Sequence, residues 1–244
     1  MRLHKNKILI TGATAGIGEA LLQKFLDLDN EIIAVGRNES KLEALAKADK
    51  RVIPFKCDIS KQEALEQLIL FIEQEHTDLN ILINNAGIQY NYNFENEHQL
   101  LFKVEHEISV NLLAPLKLIT LLLPTLQLND NSAIVNISSG LAIVPKAQAP
   151  VYCGTKAAIH IFSKSLRYQL DRIKVFEIIP PIVDTAMTAG RGKGKISPEQ
   201  LVNEFIRAFE RDEYEVNIGK VKLLRIINRI SPSLADSIMK GITP

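Results

Sequence analysis

The chain has 244 residues, with 29 lysines and arginines against 28 aspartates and glutamates. That length supports a sizeable core without a metal or disulfide staple and corresponds to one or two domains. At 46% hydrophobic and 23% charged residues the composition excludes disorder, and a formal charge of +1 removes the electrostatic case for nucleic acid or an anionic membrane as partner.

Short apolar runs alternate with longer helical patterns. Lys7–Thr11, Glu31–Val35, Arg51–Phe55, Ile81–Asn84, Ala133–Ser138 and Lys174–Ile179 read as strands, and most are continuously apolar, as buried parallel strands are. Between them Ile17–Leu28, Ser40–Ala46, Lys61–Gln74, about Gln99–Leu126 and Val151–Leu170 carry apolar residues at three- and four-residue spacing. The alternation predicts right-handed βαβ units, hence an α/β fold with a Rossmann-type, doubly wound parallel sheet flanked by helices.

Gly190, Gly192 and Gly194, interleaved with Arg191, Lys193 and Lys195, break the pattern and read as a substrate lid, placed at about 186–211 within one domain of residues 1–244. Ser197 reads as a helix N-cap, with Pro198 at the first helical position and Gln200 completing a capping box. A strand over Glu213–Ile218, a basic amphipathic stretch around Val221–Ile230 and a short helix from about Ser231 complete the chain.

No signal-like apolar stretch follows the N-terminus. The most apolar region, Val110 to Leu126, is interrupted by Asn111, Pro115, Lys117 and Pro124 and falls short of the roughly 20 residues of a membrane helix. Cys57 and Cys153 are too few for a secreted disulfide framework. The expectation is a cytoplasmic protein with no membrane or nucleic-acid partner. The five histidines show no ligand spacing, so no metal is expected.

The first strand runs into Thr11-Gly12-Ala13-Thr14-Ala15-Gly16-Ile17-Gly18. Glycine permits the tight turn and close backbone approach to a phosphate, and the following helix N-terminus offers free N–H donors. Between a first strand and a first helix, this predicts dinucleotide binding.

The Gly-x3-Gly-x-Gly spacing resembles that of the short-chain dehydrogenase/reductase family. The resemblance extends through Asn84-Asn85-Ala86-Gly87, Asn111 to Pro115, Ser138-Ser139 and Tyr152-x3-Lys156. Within the family, the segments around Ser139, Tyr152, Ser165 and Pro180–Thr185 look like the DltE-type oxidoreductases. Glycine or alanine at 12, 15, 16 and 18, with Thr14 and Ile17, would hold the cofactor, together with Asn85, Ala86 and Gly87. The resemblance implies that Asp58 and Ile59 contact the adenine, although Asp58 equally reads as a helix N-terminal acid. It also implies that Pro180, Ile182 and Thr185 meet the nicotinamide, with Pro181 where relatives carry glycine.

The second strand ends Val35-Gly36-Arg37-Asn38, with no acid until Glu39. Arg37 therefore suits a ribose 2′-phosphate, which favours NADP(H) over NAD(H). Ala15 stands where many NADP-preferring relatives have a second basic residue.

Tyr152 and Lys156 are four apart and share a helix face, where the ammonium is expected to lower the phenol's pKa. The family serine lies thirteen residues before the tyrosine, which selects Ser139 over Ser138. The resemblance further gives Lys156 a hydrogen bond to the nicotinamide ribose and Asn111 a water-bridged proton relay. The expected activity is hydride transfer between the cofactor and a carbonyl or secondary-alcohol substrate, through Ser139, Tyr152, Lys156 and Asn111. The alternative is a non-catalytic NADP-binding or scaffold protein on the same fold. A methyltransferase shares the glycine-rich turn but does not need the Tyr/Lys helix. The lid's basic residues would close over phosphate, bind an acidic substrate group or simply be solvated. The resemblance also implies a homodimer or homotetramer paired through the helices near 99–126 and 151–170.

Overall fold

Each apolar run becomes a strand because both of its faces find a helix layer. In this computed structural model, which describes residues 1–240, the strands are β1 (Lys7–Thr11), β2 (Glu31–Gly36), β3 (Val52–Lys56), β4 (Ile81–Asn84), β5 (Ala133–Ile137), β6 (Lys174–Ile179) and β7 (Glu215–Asn217). Residues 241–244, included in the predicted domain, lie outside the described residues. All strands are parallel, in the order β3-β2-β1-β4-β5-β6-β7. The order reverses between β1 and β4, and such a switch point opens a crevice at the strands' carboxyl ends.

The helices are α1 (Gly16–Asp27), α2 (Glu39–Ala48), α3 (Gln62–Glu75), α4 (Leu100–Ile108), α5 (Ala114–Leu128), α6 (Pro150–Arg167), α7 (Pro198–Glu210), α8 (Val221–Ile230) and α9 (Pro232–Lys240). The pleat sorts β1 between two cores. Ile8 and Ile10 join Leu22 and Phe25 of α1 and Phe205 and Phe209 of α7, while Leu9 joins Leu68 of α3 and Leu122 of α5. Each such fully buried side chain contributes roughly 1.5–3 kcal/mol of transfer free energy.

Two boundaries differ from expectation. The first concerns the apolar stretch after residue 99. The helical pattern expected over about Gln99–Leu126 forms, but it does not fall short of membrane-helix length: α4, a π-helical turn at Ser109–Leu113 and α5 run on as one helix, Leu100–Leu128, of 29 residues. By length and composition this helix is apolar enough to cross a membrane, and 44% of its most apolar window is buried inside the protein. Val110, Leu118, Ile119 and Leu122 face the core, while Leu101, Phe102, Leu113 and Leu128 are exposed. Pro115 is tolerated because it stands in the first turn of α5, directly after the π-helical turn, where a missing N–H costs least.

The second difference concerns the lid. The expected lid runs over 186–211, but α7 within it is core, with Leu201, Phe205 and Phe209 fully buried. Only the segment from Ala186 to Ile196 lies loose of the helix layers, anchored by a parallel bridge between Val183 and Ile196. The Ser197 capping box forms as read: Ser197 Oγ accepts from Gln200 N at 3.2 Å, and Gln200 Oε1 accepts from Ser197 N at 3.0 Å.

Candidate active site

The crevice is built from the turns that leave β1, β2, β4, β5 and β6. After β1, Gly12 (φ +68°) and Gly16 (φ +56°) take left-handed conformations that favour glycine. A Cβ on Gly18 would stand 2.2 Å from the Gly12 carbonyl oxygen, so the helix can pack this close only as glycine. No side chain caps α1 at Ala15, which leaves its first N–H groups, including those of Ile17 and Gly18, open to an anion. Thr11 Oγ1 accepts from Asn85 N at 3.0 Å and from Ala86 N at 3.1 Å, and Asn85 Nδ2 donates to Thr11 O at 2.9 Å. The Asn84–Gly87 turn is thereby stitched to the glycine-rich turn.

At the end of β2, Gly36 lies against the Thr14 side chain and Arg37 is exposed. Glu39, the first acid beyond, pairs with Lys56 at 2.7 Å. Sequence reasoning missed Lys41: from the first turn of α2 its Nζ reaches the Thr14 carbonyl at 3.5 Å, the basic side chain that Ala15 does not provide. Only the fold could reveal it, because residue 41 belongs to a different turn. Asp58 accepts from Ser60 N at 3.1 Å and Ser60 Oγ at 2.8 Å, the geometry of a helix-entry acid. Burial pulls its pKa up, but Ser60 and the nearby Arg37 and Lys61 hold it below the usual range. Ile59 is buried in the α3-side core.

Tyr152 and Lys156 lie on one face of α6, both buried, with Lys156 Nζ 5.7 Å from the phenol ring centroid. Lys156 Nζ donates to Ile137 O at 2.7 Å. Burial pushes its ammonium down to about 8, with the buried Glu177 opposing. The Tyr152 phenol is pushed up to about 12, which corrects the expectation that Lys156 would lower it. The reason is burial: removing water from the phenolate outweighs the opposing effects of the Ser139 hydroxyl and the Arg191 charge.

The two serines separate by role. Ser138 turns into the sheet, its Oγ toward Ile178 O at 3.4 Å. Ser139 faces Tyr152 and accepts from Leu141 N at 3.1 Å, capping a short turn at Gly140–Ala142. Asn111 occupies the π-helical turn, an irregularity common at functional sites. Its side chain clasps the Ile88 backbone, accepting from N and donating to O, each at 2.8 Å, and donates to Thr155 Oγ1 at 3.4 Å. A Cβ on Gly87 would meet Asn111 Oδ1 at 3.3 Å and Lys156 Nζ at 3.6 Å, so the turn after β4 touches both.

After β6, Pro180 O accepts from Gly140 N at 2.9 Å, and the Thr185 methyl lies 2.9 Å from where a Gly16 Cβ would be. Ile182 is half-buried, and its carbonyl accepts from Ile196 N at 3.2 Å. The predicted residues on the β1, β4, β5 and β6 turns and α6 therefore converge, whereas Arg37 and Asp58 stand farther along the crevice.

One grouping was not visible in the spacing. His160, one turn beyond Lys156, meets Glu177 and Glu215, whose ligand atoms lie within 4.8 Å of one another. His160 Nδ1 is 2.8 Å from Glu177, Arg167 approaches Glu177 at 3.8 Å, and Arg225 pairs with Glu215. Two guanidiniums on two carboxylates make this an ion-pair network tying β6 and β7 to α6 and α8.

A sequence profile described as short chain dehydrogenase matches residues 6–195. An uncharacterized oxidoreductase named DltE from Bacillus subtilis (strain 168) is 37% identical over 237 residues, 94% of each chain. An uncharacterized oxidoreductase of Staphylococcus aureus (strain MRSA252) is 28% identical over 222 residues, covering 87% of this chain and 94% of its own. Among solved structures, a short chain dehydrogenase from Burkholderia cenocepacia J2315 in complex with NADP superposes with a TM-score of 0.88 at 24% identity, over the whole of both chains. A short chain dehydrogenase/reductase from Burkholderia phymatum in complex with NAD gives 0.84 at 17% identity, covering 100% of this chain and 98% of its own. With the glycine-rich turn, the Asn84–Gly87 turn and the Tyr152/Lys156 helix face built onto one seven-stranded parallel sheet, the chain belongs to the short-chain dehydrogenase family of oxidoreductases.

Proposed function

We propose that this oxidoreductase reduces a carbonyl, or oxidises the corresponding secondary alcohol, with NADP(H), using Ser139, Tyr152, Lys156 and Asn111. The observation that carries the reading is the buried cluster of Ser139, Tyr152 and Lys156 at the mouth of a glycine-lined crevice whose turns a Cβ would fill. When bound, the dinucleotide supplies the hydride donor or acceptor.

Tyr152 Oη donates its proton to the substrate oxygen in reduction and accepts one in oxidation. Ser139 Oγ donates a hydrogen bond to the same oxygen and steadies its developing charge. Lys156 supplies positive charge beside the phenol, and after reduction a solvent proton, relayed through water at Asn111 and Lys156, restores the Tyr152 phenol. Gly12 to Gly18 would hold the diphosphate, Asn85, Ala86 and Gly87 the ribose, Asp58 and Ile59 the adenine, and Pro180, Ile182 and Thr185 the nicotinamide.

Arg37 and Lys41 support NADP over NAD. Both are cations at the ribose end of the crevice, and Glu39, turned to Lys56, is not placed to accept a 2′-hydroxyl. The solved relatives are divided, with NADP and NADPH in two and NAD in another. Two buried free thiols, Cys57 and Cys153, suit the reducing cytoplasm. The exposed apolar side chains of α4, α5 and α6 suit pairing with a second copy.

The decisive experiment follows nicotinamide absorbance across a carbonyl and alcohol panel. Tyr152→Phe is expected to abolish turnover while leaving NADPH binding intact; full activity in that variant overturns the assignment. Arg37→Ala is expected to weaken NADPH about ten-fold relative to NADH, the scale of one charged hydrogen bond, in a titration of cofactor fluorescence. Equal affinities before and after the change remove the NADP preference.

A further inference from the structure

Resting on the carbonyl–alcohol reading above, we propose that Arg191 anchors an anionic group of the substrate, a carboxylate or a phosphate, at the mouth of the active site.

The lid alternates glycine with cation. Gly190, Gly192 and Gly194 all have positive φ, at +70°, +64° and +66°. This winding holds the lid down: a Cβ on Gly192 would meet Ile182 Cδ1 at 2.4 Å, and one on Gly194 would meet Lys220 Nζ at 2.8 Å. The three cations between and beside these glycines then take different surroundings. Lys193 is exposed to water. Lys195 is satisfied, with Asp184 Oδ1 at 3.1 Å and Thr188 O at 2.7 Å. Arg191 turns inward: its Nη1 is buried and has no hydrogen-bond partner among the described residues.

A buried, unpaired guanidinium N–H is an unfavourable arrangement that an anion would relieve. The surroundings deepen the imbalance. The loop after Ser139 presents Lys146, whose pKa burial lowers and the Arg191 charge lowers further. Arg191 also acts on the Tyr152 phenol, which places it within electrostatic reach of the reacting end of the site. Glu107, the acid that acts on the Tyr152 phenol, is already committed, accepting from Tyr90 N at 2.8 Å and Tyr92 Oη at 3.1 Å. Two cations therefore lie together near Tyr152, and among the described residues no carboxylate pairs with either of them. The cofactor's own phosphates belong at the Gly12–Gly18 turn and Arg37, on other turns of the crevice, so the unmet charge faces the substrate.

Matched pairs test this with the full chain and NADPH: benzoylformate against its methyl ester, and dihydroxyacetone phosphate against dihydroxyacetone. The wild type is expected to favour one anionic member by about ten-fold or more in kcat/KM, the scale of a charged hydrogen bond, and that pair names the anion as carboxylate or phosphate. Arg191→Gln is expected to erase that preference, while Lys193→Gln keeps it. A parallel readout needs no turnover: benzoylformate or inorganic phosphate should raise the melting temperature of the NADP⁺-bound wild type and not of Arg191→Gln. Arg191-dependent binding without any turnover supports the anion site and removes the redox reading. Turnover of the neutral members with no Arg191-dependent preference or binding removes the anion site and keeps the redox reading. An Arg191→Gln variant whose loss is confined to NADPH affinity also overturns the proposal, because it assigns the guanidinium to the cofactor.

Discussion

Lys156 concentrates the physics of the site in one side chain. Its ammonium lies dry against the Ile137 carbonyl, and burial lowers its pKa from 10.5 to about 8. Below about 8 both folded and unfolded chains hold this proton, and the full penalty of burying the charge falls on the folded state. Between about 8 and 10.5 the unfolded chain binds more protons, so this group makes stability rise with pH across that window. Lys156→Met is expected to raise the melting temperature of the cofactor-free protein at pH 7, by a margin that shrinks toward pH 10. A margin that stays constant with pH in thermal melts contradicts the buried charge. Tyr152 shows why residue types in the right spacing were readable and their tuning was not. The four-residue interval fixes that the two side chains share a face, but a pKa depends on how much water reaches them.

The start of α7 was read from local chemistry, and it holds. Ser197, Pro198 and Gln200 form their capping box from bonds that span three residues. Removing the cap with Ser197→Ala is expected to destabilise the fold by about 1 kcal/mol. In a chain of this size that is a melting-temperature drop of roughly 2–4 °C, measurable by calorimetry. No drop would mean that α7 is held by its core face alone. The π-helical turn around Asn111 was not legible, because one extra residue in a turn leaves the apolar spacing of a long helix nearly unchanged. Pro115 is the one local sign, and it also reads as a helix terminator. Whether it ends a helix or opens a turn inside one depends on α3 and α6 packing along both halves.

On the scale of the whole molecule, uncovered apolar side chains stand on α4, α5 and α6, where Leu101 is 71% exposed, Phe102 59% and Ile161 63%. Burying such side chains against a second copy would contribute roughly 1.5–3 kcal/mol each toward pairing, against the cost of association. Leu101→Asp combined with Phe102→Asp is expected to give monomers by light scattering with an unchanged circular dichroism spectrum. A wild type that is itself monomeric removes the pairing.

The sequence by itself determined the parallel α/β sheet and the glycine-rich turn, and through the family resemblance it offered Ser139, Tyr152 and Lys156 as candidates. The sheet and the turn are carried by periodicity and by a short interval along the chain, and local rules act over such distances. Tertiary structure alone decided that Lys41 reaches the Thr14 carbonyl, that His160 meets Glu177 and Glu215, that α7 belongs to the core rather than to a lid, and that Arg191 points inward while Lys193 does not. Those outcomes depend on which elements the sheet brings together and on which charges it leaves without water. A near balance of 29 against 28 conveys neither.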